Sequence, residues 1–395
     1  MLIVGILAVV VLVLAGLTGA FAARQRASAL EDARDQTTQL VRLQTIRTSA
    51  VAADANATNA FLVGGLEPPA QREAYEEGIA TATATLAEAS ADASASDAAR
   101  LGEANQALAS YTGLVESARA NNRQGFPVGV AYLRQASTLL RDEVLPTLSD
   151  LSNDTQRRVD DAYDDSDIAM TILVVAIVIG LAAVIGAQLY LTTRTRRVFS
   201  IPIVIGGAIV LGASIVAVLA MIWAQSMADD VHDNGYRTTV ALAQARIDAF
   251  DAKSAESLTL INRGSGAAYE ERFQELARSA QDALRIDGVP EAAPPAFASY
   301  LAVHDEIRRL DDEEGNWEGA VALATGDAPD GSNAAFQDFD DITAAGLDES
   351  AASIADDLDD ARLPLTPVAV LLVLAGAAAA IAVWQGISVR LREYR

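Results

Sequence analysis

Four uninterrupted apolar runs stand out against an otherwise polar chain. They are LIVGILAVVVLVLAGLTGAFAA (2–23), IAMTILVVAIVIGLAAVIGAQLYLT (168–192), FSIPIVIGGAIVLGASIVAVLAMIWAQ (199–225) and PLTPVAVLLVLAGAAAAIAVWQGISV (364–389). None contains Asp, Glu, Lys or Arg. A helix needs about 20 residues to cross a bilayer, so each run predicts a membrane span. A buried core helix is the competing reading, and four runs of this length argue against it. The first run also competes with a signal peptide, but it lacks a basic leader and is longer than the usual apolar region of one. It reads as an anchor, with a basic cytoplasmic leader expected upstream of Met1.

The two intervening segments, 24–167 and 226–363, have a different pattern. Apolar residues recur at steps of three and four: Tyr75, Ile79, Ala82 and Leu86, then Leu133, Leu140, Val144, Leu148 and Leu151. In the second segment Tyr269, Phe273, Leu276, Ala280 and Leu284 do the same. This is helical periodicity, and nothing alternates as a strand would. Glycine and proline place the helix breaks. They fall at 64–69, 91–98 and 121–129 in the first segment, and at 263–266, 287–295 and 325–333 in the second. Three breaks make four helices, so each segment predicts an antiparallel four-helix bundle whose outer helices continue into membrane spans. Pro146 lies inside the last helix of the first bundle, where it removes a backbone donor and predicts a kink or a local break.

Short motifs occur twice in the same order. DANATNAF (54–61), AYEE (74–77) and ALASY (107–111) are echoed by DAKSAESL (251–258), AYEE (268–271) and AFASY (296–300). Each pair falls on the corresponding helix of its bundle, which predicts an internal duplication of a span–bundle–span unit. The fold class is therefore all-α: four transmembrane helices with two four-helix bundles. The divisions are 1–23, 24–167, 168–192, 193–198, 199–225, 226–363, 364–389 and 390–395. The shared motifs read as framework, and the dissimilar tip loops after them read as the place where the halves diverge.

Composition sharpens the picture. Apolar residues make up 51% of the 395 and charged ones 21%, with a mean hydropathy of +0.21. That balance requires apolar blocks set among very polar ones. A net charge of −24 makes nucleic acid a poor partner. There is no cysteine, which excludes disulfides and thiolate metal sites, and the two histidines are far apart in sequence. No cofactor, metal site or catalytic motif is expected: the chain has no G-x-S-x-G, H-E-x-x-H or phosphate-binding GK[ST]. Intramembrane charges, which mark ion paths, are absent.

The basic residues set the orientation. Arg194, Arg196 and Arg197 lie between the second and third spans, and Arg390, Arg392 and Arg395 end the chain. Both clusters are expected in the cytoplasm, with the termini inside and both bundles outside a plasma membrane. Arg24 and Arg26 conflict slightly with this and are outvoted. Small residues at Ala15/Gly19 and Ala208/Gly212 predict close helix packing among membrane lipids.

In architecture the chain resembles the extracytoplasmic four-helix sensor domains of chemoreceptors and histidine kinases. The resemblance implies dimeric packing of two bundles, which one chain here supplies, and leaves a homodimer of chains open. A narrower resemblance rests on ADANATNAFLVGGLEPP (53–69), YTGLVESARANNRQGFPVGVAYLRQAS (111–137) and four spans without a cytoplasmic domain. These are similar to the GlnX-type actinobacterial membrane sensors. That family implies partners: the solute-binding lipoprotein GlnH outside and the cytosolic Ser/Thr protein kinase G inside. It also implies a relay reporting external aspartate or glutamate. Two alternatives stay open, a direct small-molecule receptor and an accessory subunit of an amino-acid permease.

Candidate contact residues follow. At the tip of the first bundle, Gly64, Gly65, Pro68 and Pro69 are expected beside Asn121, Asn122, Arg123, Gly125, Phe126 and Pro127. They read as a docking platform or, more plainly, as helix-hairpin turns. The second tip has Trp317 and a longer acidic loop through Asp327 and Asp330. Arg194, Arg196, Arg197, Arg390 and Arg392 are the candidate cytoplasmic contacts, and they set topology in any case. Asp54, Asn56 and Asn59 read as a solvated helix edge, and His304 as a structural position aligned with Val115.

Overall fold

The computed structural model describes residues 2–63, 67–125, 128–195, 200–326 and 328–393; within these, the side chains of 2, 163–167, 194–195, 232–233 and 390–393 are not described. Among the described residues there is no strand. The chain divides into two compact units. One comprises Met1–Gln36, Arg157–His232 and Ile354–Arg395; the other comprises Thr37–Gln156 and Asp233–Ser353.

The first unit is apolar. Its residues come from α1 (Leu2–Val63), α5 (Leu145–Thr195), α6 (Ile201–Asp230), α11 (Ser332–Arg362) and α12 (Leu365–Glu393). Among the described residues four helices are long and apolar enough to cross a membrane. Leu7, Leu14, Val178, Leu189, Leu219 and Leu374 point outward, while Leu12, Leu173, Ala217, Met221 and Val383 are buried between helices. An exposed apolar belt around a small-residue interior is stable when the surroundings are lipid. The closest approach joins α1 and α12 at Gly16 and Gly376. A Cβ on Gly16 would lie 2.8 Å from the Leu372 carbonyl oxygen and 3.1 Å from the Gly376 Cα. Gly206 of α6 meets Ala379 and Ala382 in the same way. The expected small-residue pairs are only partly used. Gly19 packs on Leu372 and Leu173, but Ala208 and Gly212 are exposed, and a Cβ on Gly212 would meet nothing. Their four-residue spacing was right for a packing face, but the face that turns inward on α6 carries Gly206 and Ala213 instead.

The polar unit contains two helical cores. In the first, α1 packs with α2 (Pro69–Ala91), α3 (Ala95–Arg123), α4 (Val128–Leu139) and the start of α5 around Leu101, Leu108, Tyr111, Leu133 and Leu148. In the second, α7 (Arg237–Ile261), α8 (Ala267–Ala283), α9 (Ala293–Arg308) and α11 enclose Phe250, Phe273, Phe297, Tyr300 and Phe339. The helix limits follow the glycine and proline punctuation. Pro69 opens α2, Ser94 caps α3 by accepting from the Asp97 N–H at 3.2 Å, and Gly125 turns the chain at φ +72°.

Three expectations are corrected. Pro146 does not break its helix. A π turn over Leu140–Val144 precedes it, and the Leu145 N–H bonds back to the Leu140 oxygen. The widened turn absorbs the missing donor, and α5 continues as one helix to Thr195. The second bundle carries an extra tip helix, α10 (Trp317–Thr325), where a loop was expected. Gly315 turns at φ +64°, and the Asn316 side chain caps α10 by accepting from the Gly319 N–H at 3.0 Å. Finally, the helices do not all run unbroken into spans. α1 does, but a π turn over Val231–Tyr236 separates α6 from α7, and Leu363–Pro364 separates α11 from α12.

Candidate functional site

The echoed segments lie at the centre of the polar unit. Every residue of α7 from Ile247 to Leu260 is buried. On α1, Ala50, Val51 and Ala53–Ala55 are buried, as are Ala57–Ala60. A helix buried on all faces normally carries an apolar sequence, yet these two carry Asp54, Asn59, Asp251, Lys253 and Glu256. Small residues let α1 and α7 approach, and the polar side chains must then find partners within the protein.

Asp54 and Asp251, the first residues of the two echoed motifs, share Arg141 from the π turn. Arg141 Nη2 lies 3.1 Å from Asp54 Oδ2 and 2.6 Å from Asp251 Oδ1, and its Nε donates to Asp251 Oδ1 at 2.8 Å. Ser137 donates to Asp54 Oδ1 at 2.6 Å and Ser254 to Asp54 Oδ2 at 3.0 Å. Arg272 of α8 pairs with the other oxygen of Asp251. Burial would raise the Asp251 carboxyl, but Arg141 and Arg272 outweigh it and hold it below the usual carboxylate range. Burial also favours the neutral form of Arg141, and Asp54 and Asp251 overcome that and raise it. Tyr111 is pushed well up by burial and then by Asp54. The result is a charge-balanced seam joining the two helical cores, with the two carboxylates buried and Arg272 reaching Asp251 from the surface.

A second network lies inside the second core. Lys253 Nζ reaches Glu256 Oε1 at 2.7 Å and also donates to Ser332. His304 Nδ1 sits 2.9 Å from Glu256 Oε2, its Nε2 3.3 Å from Glu270 Oε2, and its ring stacks on Phe273 at 3.4 Å. Burial would raise Glu256, yet Lys253 and His304 depress it to about 2. Burial would lower His304, but hydrogen bonds to Glu256 and Glu270 raise it.

Beside the seam lies an open cleft of about 650 Å³, walled by α1, α2, α7 and α11. Asn56, Asn59, Gln71, Arg246, Asn333 and Asp340 line it. Arg246 Nη2 pairs with Asp340 Oδ1 at 2.7 Å. Burial outweighs the pairing, lowering Arg246 and raising Asp340.

Residues 29–164 match the family model of the actinobacterial sensor domain. The match spans the first helical core and the α1 segment that carries Asp54, and it supports a sensing or signalling role. No curated protein and no solved structure matched the chain.

The structure redistributes the candidate residues. Asp54 and Asn59 are buried and Asn56 is half-buried, so the solvated-edge expectation is overturned: the face that carries them meets the second core rather than water. Asn59 donates to the Ala324 oxygen at 3.1 Å and accepts from Asn333 at 3.2 Å. At the first tip, Gly64, Gly65, Phe126 and Pro127 lie outside the described residues. Pro68 and Pro69 start α2; Asn121, Asn122 and Arg123 end α3, with Gly125 exposed just beyond. Glu67 and Arg119, 2.7 Å apart, bring those two loops together. At the second tip, Trp317 donates to the Leu260 oxygen at 3.0 Å under the Arg263 guanidinium, and Asp327 is outside the described residues. The side chains of Arg194, Arg196, Arg197, Arg390 and Arg392 also lie outside them. His304 is buried, as a structural position should be, but within an ion network rather than a plain core. The residues that sequence reasoning missed are Arg141, Arg272 and Arg246, each an unremarkable arginine on a helix until its partners are known. Among the described residues no group of His, Asp and Glu is placed to hold a metal.

Proposed function

We propose that the chain is a non-enzymatic transmembrane relay. In this reading an extracytoplasmic solute-binding lipoprotein loaded with aspartate or glutamate engages the tips of the polar unit, and a cytosolic Ser/Thr protein kinase reads the basic hairpin and tail. One observation carries the reading. Helix α1 is continuous from Leu2 to Val63, so Asp54 of the buried seam and the first apolar run belong to one helix. A change in how the two helical cores meet at Arg141 therefore displaces α1 as a whole, and displacements of about 1–2 Å are typical of helix-borne signals. The sensor-domain match over 29–164 supports the sensing part; the amino acid and the kinase rest on the resemblance to GlnX-type sensors.

The test is complementation of a deletion strain with wild-type protein or Arg141→Gln, reading phosphorylation of the kinase substrate after external aspartate or glutamate is added. The wild type restores the response, and Arg141→Gln blunts it while reaching the membrane at normal abundance. An undiminished response in Arg141→Gln removes the seam from the relay, and a response in the empty deletion strain removes the relay itself.

A further inference from the structure

The second tip carries a helix that the first lacks, and its sequence does not suit its place at the surface. Helix α10 reads WEGAVALAT, with Glu318 as its one charged residue. A helix apolar all round belongs in a core. One face of α10 finds one: Ala320 and Ala324 are buried with Ile307, Leu260 and Leu62. The other face does not. Ala322 is exposed and Leu323 half-buried. With Ala302, Val303 and Leu310 they line an open groove of about 580 Å³ between α9 and α10.

The groove lies in strongly acidic surroundings. From Asp305 to Asp330 the chain carries nine carboxylates and two arginines. Both arginines are already engaged, Arg308 by Glu270, Asp311 and Asp312, and Arg309 by Glu306 and Glu314. Glu318 stands one turn before Ala322 on α10, and Asp330 lines the groove. Among the described residues neither has a cationic partner. The corresponding stretch of the first core, 116–128, has one carboxylate and two arginines, and α4 follows α3 there with no helix described between them. The acidic groove is a feature of one half only.

An apolar floor with an acidic rim selects its occupant. A second copy of the chain, at a net charge of −24, meets that rim with like charge, and so do nucleic acid and anionic lipid. A small solute would stay largely exposed in so open a groove. An amphipathic helix fits, seated on the apolar floor with basic side chains reaching the rim. Carboxylates crowded without counter-charges repel one another, and a partner's cations relieve that repulsion as they arrive.

We propose that the groove between α9 and α10 docks a basic amphipathic helix of a partner protein. The proposal rests on the relay reading and deepens it, because it names the second tip as the one engaged and gives the chemistry of what engages it.

The test uses the full chain in intact cells, with photoreactive p-benzoylphenylalanine in place of Ala322 or, as a control, of the exposed Gln106 on α3. Irradiation should link position 322, and not position 106, to one protein. The linked peptide should be a helix-forming segment with apolar residues on one face and Lys or Arg beside them. That protein, purified, should bind the chain in lipid nanodiscs. Ala322→Glu, at an exposed position, should weaken binding about ten-fold. Asp330→Arg should slow association about ten-fold with little change in dissociation, and added salt should slow the wild type more than this variant. Cross-linking to a second copy of the chain, to an acidic segment or to nothing overturns the proposal, as does binding that neither variant changes. If it fails in this way while Arg141→Gln still blunts the cellular response, the relay stands and its docking surface lies elsewhere. If docking holds and Arg141→Gln responds fully, the groove stands and the seam leaves the relay.

Discussion

The two helical cores of the polar unit begin from similar sequence motifs and use them differently. Where the first has Asn56 and Asn59, the second has Lys253 and Glu256. Asn59 reaches across to Ala324 and Asn333, whereas Lys253 and Glu256 turn into their own core toward Ser332 and His304. The first core is filled by Leu101, Leu108, Leu133 and Leu148 around two tyrosines, Tyr75 and Tyr111. The second is filled by rings in contact, with Phe250 and Phe336 at 4.9 Å and Phe297 and Phe339 at 5.0 Å. Only the leading aspartate keeps its environment, at the seam. One framework position is held for joining the halves, and its neighbours are released for different work: neutral amides facing a cleft in one half, a dry ion network in the other.

The sharpest way to break that comparison is to remove the charged version. Glu256→Leu leaves Lys253 buried without its counter-charge and takes from His304 one of its two carboxylate partners, and should cost about 3–5 kcal/mol. Asn59→Leu, at the corresponding position, leaves only neutral groups unpaired and should cost about 1–3 kcal/mol. Denaturation of the full chain in detergent, followed by far-ultraviolet circular dichroism, ranks the two; equal losses would show that the halves do not differ here.

A smaller effect is the response to pH. His304 is raised above its ordinary value of 6.5, so its contribution is full below that pH and is lost as pH rises through the higher folded value. Glu256 and Glu270 are depressed below 4.5, so theirs is present above that value and lost as pH falls. Lys253 and Arg308 face the same carboxylates, and burial lowers Lys253 against the pull of Glu256. Stability of the second core should therefore peak between these limits, and His304→Gln should flatten the decline above pH 6.5. A decline that persists in His304→Gln would assign it to another group. The smallest effect is at the second tip. Arg263→Ala removes the guanidinium 3.3 Å above the Trp317 ring and should cost about 0.5–1 kcal/mol, seen as a slight fall in the melting midpoint.

The spans and most helix breaks were legible because they depend on local signals: long uncharged runs, and glycine or proline where the backbone must turn. The π turns were not: Pro146 announced a missing donor near Leu140–Val144, but not the widened turn that accommodates it. Helix α10 was missed although Asn316 followed by Glu318 is a recognisable helix start; the acidic surroundings suggested a loop. Asp54 was placed on a solvated edge because a single amphipathic helix has one apolar face and one wet one. That rule fails for a helix packed from both sides. Its recurrence as Asp251 was the available clue, since both aspartates are buried and share Arg141.

The interruption at Leu363–Pro364 sets the α11–α12 junction apart from α1, which is one helix from Leu2 to Val63. Between α11 and α12 the Leu363 N–H turns back to Asp359 and Asp360, and Pro364 has no N–H to offer. One rung of the backbone ladder is missing there, and α12 is seated by its lateral contacts, the bare backbone of Gly16 and the alanine-lined face against Gly206. Gly16 is the notch in which α12 rests, and any side chain there would lift it out.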